Sequence, residues 1–183
     1  MANGSMMLIG QMALVQLALV VGGVLLVAAA LHDVAARTIP NWVSLALGGL
    51  GVLLRCLDGK NSLLAGLSLG LLVFAVATFC WKRGWMGGGD VKLLSAAAIF
   101  VPPPHVGDML IAVTLAGGIV GLIYLLGRSL LSRNIRPAGA RPRRLLARVL
   151  RVERRRLGRG GPLPYASAIA AGTILVIFHA FPG

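Results

Sequence analysis

Acidic residues are scarce in this sequence: five Asp and Glu stand against 18 Lys and Arg in 183 residues. Charged residues of both signs make up 13% of the chain, and hydrophobic residues make up 57%. A soluble domain normally has about a quarter of its residues charged, so this composition disfavours an ordinary soluble protein. Long apolar stretches between short polar breaks indicate membrane helices, because a helix satisfies its backbone hydrogen bonds within one segment.

Cysteine is almost as scarce. Cys56 and Cys80 are too few for a four-thiolate metal site and do not form a CxxC pair. We interpret both as small packing residues of helices, and we expect no metal or other cofactor. The chain also lacks a basic segment before its first apolar stretch, which begins at Met6. A cleaved signal peptide is therefore not expected, and the first stretch is interpreted as a retained span.

The apolar stretches predict an all-α polytopic membrane protein with about six transmembrane helices. The fourth stretch opens with three glycines and closes with three prolines, and it is kept as a span because omitting it would move the arginine-rich segment after residue 127 to the outside. The six predicted segments are residues 7–31, 42–57, 63–81, 85–101, 109–126 and 163–181.

The basic residues predict the orientation. Twelve of the 18 Lys and Arg lie between Arg128 and Arg159. With six spans and the N-terminus outside, this block, Arg37, Lys82 and Arg83 all fall in cytoplasmic loops, as the positive-inside bias requires. We therefore expect one membrane-embedded domain over residues 1–183, with a basic cytoplasmic loop at about 128–161.

The basic loop has two open interpretations. Its apolar residues have nearly helical spacing, which predicts a basic amphipathic helix on anionic lipid. A solvated, disordered charge run fits the same composition. Because the charges are concentrated beside membrane spans, we expect anionic lipids as partners of the loop and no nucleic acid.

Two of the five acidic residues, Asp33 and Asp90, differ from the other three in their predicted position. Asp58 and Asp108 suit turns and helix starts, and Glu153 lies among arginines. Asp33 directly follows the first span and Asp90 begins the fourth, so the predicted topology places both at the cytoplasmic edge of the membrane. Ionisable residues at such depths are costly unless they are paired or hydrated.

Two adjacent carboxyl groups share a proton, and such a pair can activate a water and protonate a leaving amine. This is the chemistry of an aspartic peptidase. Ordinary helix-end roles remain open for both residues, as does a flexible turn for Gly87-Gly88-Gly89. A cation-coupled transporter using the two aspartates and a noncatalytic assembly component are the alternative functions. His32, beside Asp33, either tunes that carboxyl, helps bind a metal, or bonds only backbone or water.

Three motifs resemble those of the type IV prepilin peptidases. Gly87-x-Gly89-Asp90 followed by Lys92 resembles the GxGD motif of that family. Asp33 with Arg37-x-Ile39-Pro40-Asn41 is similar to its first aspartate motif. Pro164-Tyr165-Ala166 is similar to a stretch near its C-terminus.

The resemblance implies an endopeptidase that removes the leader of type IV prepilins at the cytoplasmic face of the bacterial inner membrane. It implies that Asp33 and Asp90 are the catalytic pair. Supporting roles at the site would fall to Gly87, Gly89, Arg37, Pro40, Asn41 and Lys92. Larger members have an insertion with two CxxC pairs and also N-methylate the product. This sequence lacks the insertion, so we do not expect methyltransferase activity. The compact form resembles the peptidases of tight-adherence (Flp) pili or the archaeal preflagellin peptidases.

Overall fold

A computed structural model of the protein describes residues 2–132 and 165–180, and the regular elements in these two ranges are all helical. The all-α prediction is therefore confirmed. A short 3₁₀ turn, Pro103–His105, lies between the fourth and fifth helices. The helices are α1 (Ala2–Ala36), α2 (Asn41–Asp58), α3 (Lys60–Lys82), α4 (Gly88–Phe100), α5 (Val106–Ser132) and α6 (Tyr165–Ala180).

Each helix coincides with one predicted segment. The largest difference is at the end of α5, which continues to Ser132, so residues 128–132 are helical and not loop as predicted. The physical reason is that the first helix breaker after this point is Pro137. The remainder of the predicted basic loop, residues 133–161, lies outside the described residues. Pro164 and Phe181 lie outside them as well.

Within residues 2–132 and 165–180, three stretches are long and apolar enough to cross a membrane: Ile9–Ala36, Lys60–Lys82 and Pro103–Leu126. Tyr165–Ala180 is a shorter apolar helix. Large aliphatic side chains such as Leu71 and Leu125 are exposed along these helices. An apolar exterior of this kind suits lipid and not water, so the fold is that of a polytopic membrane protein.

The short helix α4 lies at the centre of the fold. Its 13 residues span about 20 Å, less than the roughly 30 Å of a hydrocarbon core. It packs against α2, α3 and α6, and most of its residues are buried. Gly51 of α2 allows a very close approach, because a Cβ added there would lie 2.7 Å from the backbone nitrogen of Phe100. Small residues allow such backbone contact, which stabilises helix packing in lipid.

Several charged and polar residues lie together at one end of the bundle, in or beside the α1–α2 and α3–α4 connections. Helices α1, α3 and α5 finish at this end, and α2, α4 and α6 begin there. We call it the site end. Asp33 and Asp90 both lie here, as the alternation of six helices predicted, because three crossings separate the end of α1 from the start of α4.

Candidate active site

Asp33 and Asp90 line the same open pocket at the site end, with a volume of about 270 Å³. Both are nearly buried, with exposed fractions of 7% and 9%. Seven of the eight residues expected at the site line this pocket, and the eighth, Pro40, caps the start of α2 beside it. The pocket is lined by Asp33, Arg37, Thr38, Ile39, Asn41, Gly87, Gly88, Gly89, Asp90 and Lys92.

Asp90 is held at the first turn of α4. Gly87 is the N-cap of this helix, and Asp90 is the third residue after it. The Asp90 carboxylate accepts a hydrogen bond from the backbone N–H of Gly87. A capping box contains two hydrogen bonds, and this one corresponds to the bond between the side chain of the third helical residue and the backbone amide of the N-cap. The interaction holds the carboxyl group close to its own backbone, at the N-terminus of α4.

The three glycines before Asp90 have different surroundings. A Cβ on Gly87 would lie 2.9 Å from Oδ2 of Asp90, and one on Gly89 would lie 3.2 Å from the Cβ of Ile39. A Cβ on Gly88 would meet only the indole of Trp81, at 3.4 Å, which is an ordinary contact distance. A methyl group at the first position would therefore displace the Asp90 carboxyl group, one at the third would require a small shift of Ile39, and one at the second would fit.

Asp33 is held by the last helix of the bundle. It lies in the final turn of α1, and its Oδ2 accepts a hydrogen bond from the backbone N–H of Ala166 at 3.3 Å. Ala166 is completely buried in the first turn of α6. The first amides of a helix have no partner within the helix, so a carboxylate placed there is stabilised by both the bond and the helix dipole.

Arg37 lies in the pocket with an unusual backbone. Its φ of 57° is left-handed, and its N–H donates to the carbonyl of Asp33 at 2.8 Å. This is the αL motif that ends many helices, at a position where glycine is usual. The Arg37 side chain reaches Tyr124 of α5, donating from Nη2 to the phenol oxygen at 3.0 Å. Its charge also acts on Asp90.

Two further hydrogen bonds hold the segment between α1 and α2. Lys92 of α4 donates from Nζ to Oδ1 of Asn41, the first residue of α2, at 3.0 Å. Nδ1 of His32 lies 2.6 Å from the carbonyl oxygen of Thr38. Of the three interpretations of His32, this contact supports backbone bonding. The connecting segment is thus tied to α1 on one side and to α4 on the other.

The two carboxyl groups are close enough for the charge of one to act on the other. Carboxyl groups in such proximity titrate as a pair, since ionisation of one disfavours ionisation of its neighbour. Arg37 and Lys92 add two positive charges to the pocket wall. The pocket therefore brings two carboxyl groups and two cations together, and these are groups that general acid–base chemistry can use.

The model of the Type IV leader peptidase family matches residues 20–126. The matched range includes every residue that lines the pocket. The chain belongs to the type IV leader peptidase family. The family resemblance seen in the sequence motifs is thereby confirmed, and a peptidase that acts on prepilins is the activity of the family. Searches of the curated proteins and of the solved structures gave no significant match.

The sequence of this leader peptidase did not predict three groups of residues that form or support the site. Thr38, Ile39 and Gly88 line the pocket beside the expected residues. Tyr124 belongs to the site through Arg37, and its only sequence signal is an isolated phenol in an aliphatic run. Ala166 was noted for its motif, but no pattern of residues reveals that its backbone amide bonds to Asp33.

Proposed function

We propose that this leader peptidase is an aspartic endopeptidase in which Asp33 and Asp90 form the catalytic pair. The observation that carries the proposal is that both carboxyl groups are nearly buried and line one open pocket. Each has its own backbone donor, from Ala166 and Gly87 respectively. Those donors hold the two acids at the pocket without neutralising them, and the pair can act together on one bound water.

The reaction needs one carboxylate and one carboxylic acid. The carboxylate takes a proton from the bound water as its oxygen attacks the carbonyl carbon of the scissile peptide, and the acid protonates the carbonyl oxygen. The proton taken from water is then passed to the leaving nitrogen as the C–N bond breaks, and a hydroxyl group of the tetrahedral intermediate returns a proton to the other aspartate. One water is consumed, and a new carboxyl and a new amine are produced.

The walls of the pocket suit an extended substrate. Thr38 and Ile39 lie in a segment without regular structure, and Gly87–Gly89 faces them with no side chains. Backbone groups on the two walls can pair with a peptide in the extended form that peptidases bind. We propose the leader segment of a prepilin as this peptide. The compact sequence, without an insertion bearing CxxC pairs, favours an Flp-type prepilin and argues against N-methylation.

The orientation of the site follows from charge. Arg37, Lys82 and Arg83 belong to the site end, and twelve further basic residues follow in the segment between Arg128 and Arg159. The positive-inside bias therefore favours a cytoplasmic site in the bacterial inner membrane. We propose that the basic segment contacts anionic lipid headgroups on that face and that residues 1–183 act as one domain.

Coexpression with candidate prepilins tests this function. We expect N-terminal sequencing of an Flp-type prepilin to show removal of its leader, with an unmethylated new terminus. Asp90→Asn should leave the precursor intact. Asp108→Asn is the matched control, because that exposed acid lies with His105 at the opposite end of the bundle. Equal cleavage by the Asp90→Asn variant would refute the aspartic mechanism.

A further inference from the structure

Tyr124 is isolated in an aliphatic part of α5. Its neighbours Leu122, Ile123, Leu125 and Leu126 are all more than half exposed, on a helix that suits lipid. A phenol in such surroundings needs a hydrogen-bond partner for its hydroxyl group. The partner is Arg37, which is 87 positions away in the sequence and donates from Nη2 at 3.0 Å. The bond connects α5, which contributes no residue to the pocket wall, to the pocket itself.

The backbone of Arg37 indicates that its side chain is required where it lies. An L-residue in the left-handed region costs about 1 kcal/mol or more relative to glycine, and the αL position at the end of a helix is the usual place for glycine. Here the position is occupied by arginine, with φ of 57°. Local strain of this kind persists where surrounding contacts hold it, and it is concentrated at functional sites.

The guanidinium also needs to be held. An arginine side chain has many rotamers, and each contact of its guanidinium restricts them. The contact with Tyr124 selects the rotamers that keep the charge of Arg37 within range of Asp90. A guanidinium has five N–H donors in a fixed plane, so anchoring one of them also orients the others.

We propose that Tyr124 is a positioning residue of the peptidase: its hydroxyl group holds the guanidinium of Arg37 at the wall of the pocket that contains Asp33 and Asp90. The inference rests on the proposed function for the meaning of that pocket. Tyr124 touches no reacting group, and it acts through Arg37. Its contribution to the rate therefore depends entirely on the presence of arginine at position 37.

A double-variant cycle tests this dependence. Tyr124→Phe removes one hydroxyl group and keeps the ring, so the variant should fold with an unchanged unfolding temperature. We expect kcat for leader cleavage to fall about tenfold or more, as for the loss of a hydrogen bond to a charged group, while KM stays within about twofold. Arg37→Gln should lower kcat at least as much. In the Arg37→Gln background, adding Tyr124→Phe should change kcat by less than about twofold.

Thr114→Val is the matched control. It removes a hydroxyl group from the same helix, where Oγ1 of Thr114 donates to the carbonyl of Leu110 at 2.7 Å, and kcat should not change. Full activity of Tyr124→Phe, or losses that multiply in the double variant, would overturn the positioning role. Those outcomes are distinct from failure of the aspartic mechanism, which is recognised by cleavage in the Asp33→Asn or Asp90→Asn variant and leaves the Tyr124–Arg37 cycle measurable.

Discussion

The backbone N–H of Ala166 donates to Oδ2 of Asp33 at 3.3 Å, which joins the last described helix to the first across 133 positions of sequence. Ala166 lies outside the residues matched by the family model, which end at residue 126. The residues of the pocket wall thus lie within the matched range, whereas the backbone amide that bonds to Asp33 comes from a residue after that range. The start of α6 is a structural part of the site, although it contributes no side chain to the pocket wall.

The three glycines before Asp90 give the first prediction. Gly87→Ala places a methyl group 2.9 Å from Oδ2 of Asp90, so the carboxyl group must move. Displacement of a reacting group by about 1 Å can cost about a hundredfold in rate, and we expect a loss of kcat of that order. The backbone of Gly87, with φ of −73° and ψ of 146°, suits alanine, so the variant should still fold.

Gly88→Ala is the control for this substitution, because its methyl group meets Trp81 at an ordinary contact distance. It should retain nearly full activity, and Gly89→Ala should be intermediate, since Ile39 has to shift slightly. Cleavage rates and unfolding temperatures of the three purified variants decide the matter. Equal losses in all three would show that the glycines act through backbone flexibility and not through space.

The packing of α2 on α4 gives the second prediction. Gly51→Ala places a methyl group 2.7 Å from the backbone of Phe100. Because the nearest atoms belong to backbone and not to a flexible side chain, α2 and α4 have to move apart. Overpacking of this kind typically costs about 1–3 kcal/mol, so the free energy of unfolding in detergent should fall by that amount. Cleavage should fall as well, because α4 carries Asp90.

Gly49→Ala is the matched control on the same helix, because no heavy atom lies within 4 Å of the position of its added methyl group. Replacement of an interior helical glycine by alanine should leave stability unchanged or raise it by up to about 1 kcal/mol. If Gly51→Ala unfolds like Gly49→Ala, the close approach of α2 and α4 is not a determinant of stability.

A buried arginine at the opposite end gives the third prediction. Arg55 is 3% exposed, and its Nη1 lies 2.7 Å from Oδ2 of Asp58, which is half exposed. Its Nε has no hydrogen-bond partner among the described residues. Asp58→Asn removes the charge that compensates the buried guanidinium. We expect the free energy of unfolding to fall by about 1–3 kcal/mol and kcat to stay unchanged, because the pair lies far from the pocket.

Chemical denaturation and cleavage assays of Asp58→Asn separate the two effects. Asp108→Asn provides the comparison, since Asp108 pairs with the exposed ring of His105 and should contribute little to stability. A loss of kcat in Asp58→Asn without loss of stability would contradict this assignment and would give the far end of the bundle a direct part in the reaction.

More of the fold than of the site could be predicted from the sequence. The six helices and the common end of Asp33 and Asp90 follow from apolar segment lengths and loop charges, because lipid permits few other arrangements. The grouping of Asp33, Arg37, Asn41 and Lys92 followed from a resemblance to known motifs. No periodicity could have located the amide donor of Ala166 or the phenol acceptor of Tyr124, since both come from distant helices whose packing depends on the whole chain.

Helix α4 and Arg55 are more deeply buried than the sequence indicated. The fourth segment opens with three glycines and closes with three prolines, yet α4 lies at the centre of the fold, where Gly51 and Gly70 allow Phe100 and Ile99 to approach their helices. The buried state of Arg55 had no signal in the sequence, since an arginine near a predicted turn is usually solvated. Close packing of small residues is a property of pairs of helices, and one sequence does not show which pairs form.

The central claim is that Asp33 and Asp90 work as one unit. The most direct test is to measure single-turnover cleavage of an identified prepilin by Asp33→Asn, Asp90→Asn and the double variant, each purified and shown to be folded. If the two acids share one proton and one water, each single substitution removes the whole effect. We predict that all three variants fall to the same residual rate, about a thousandfold or more below the native protein. Substantial cleavage by either single variant, or a further multiplicative loss in the double variant, would contradict the pair.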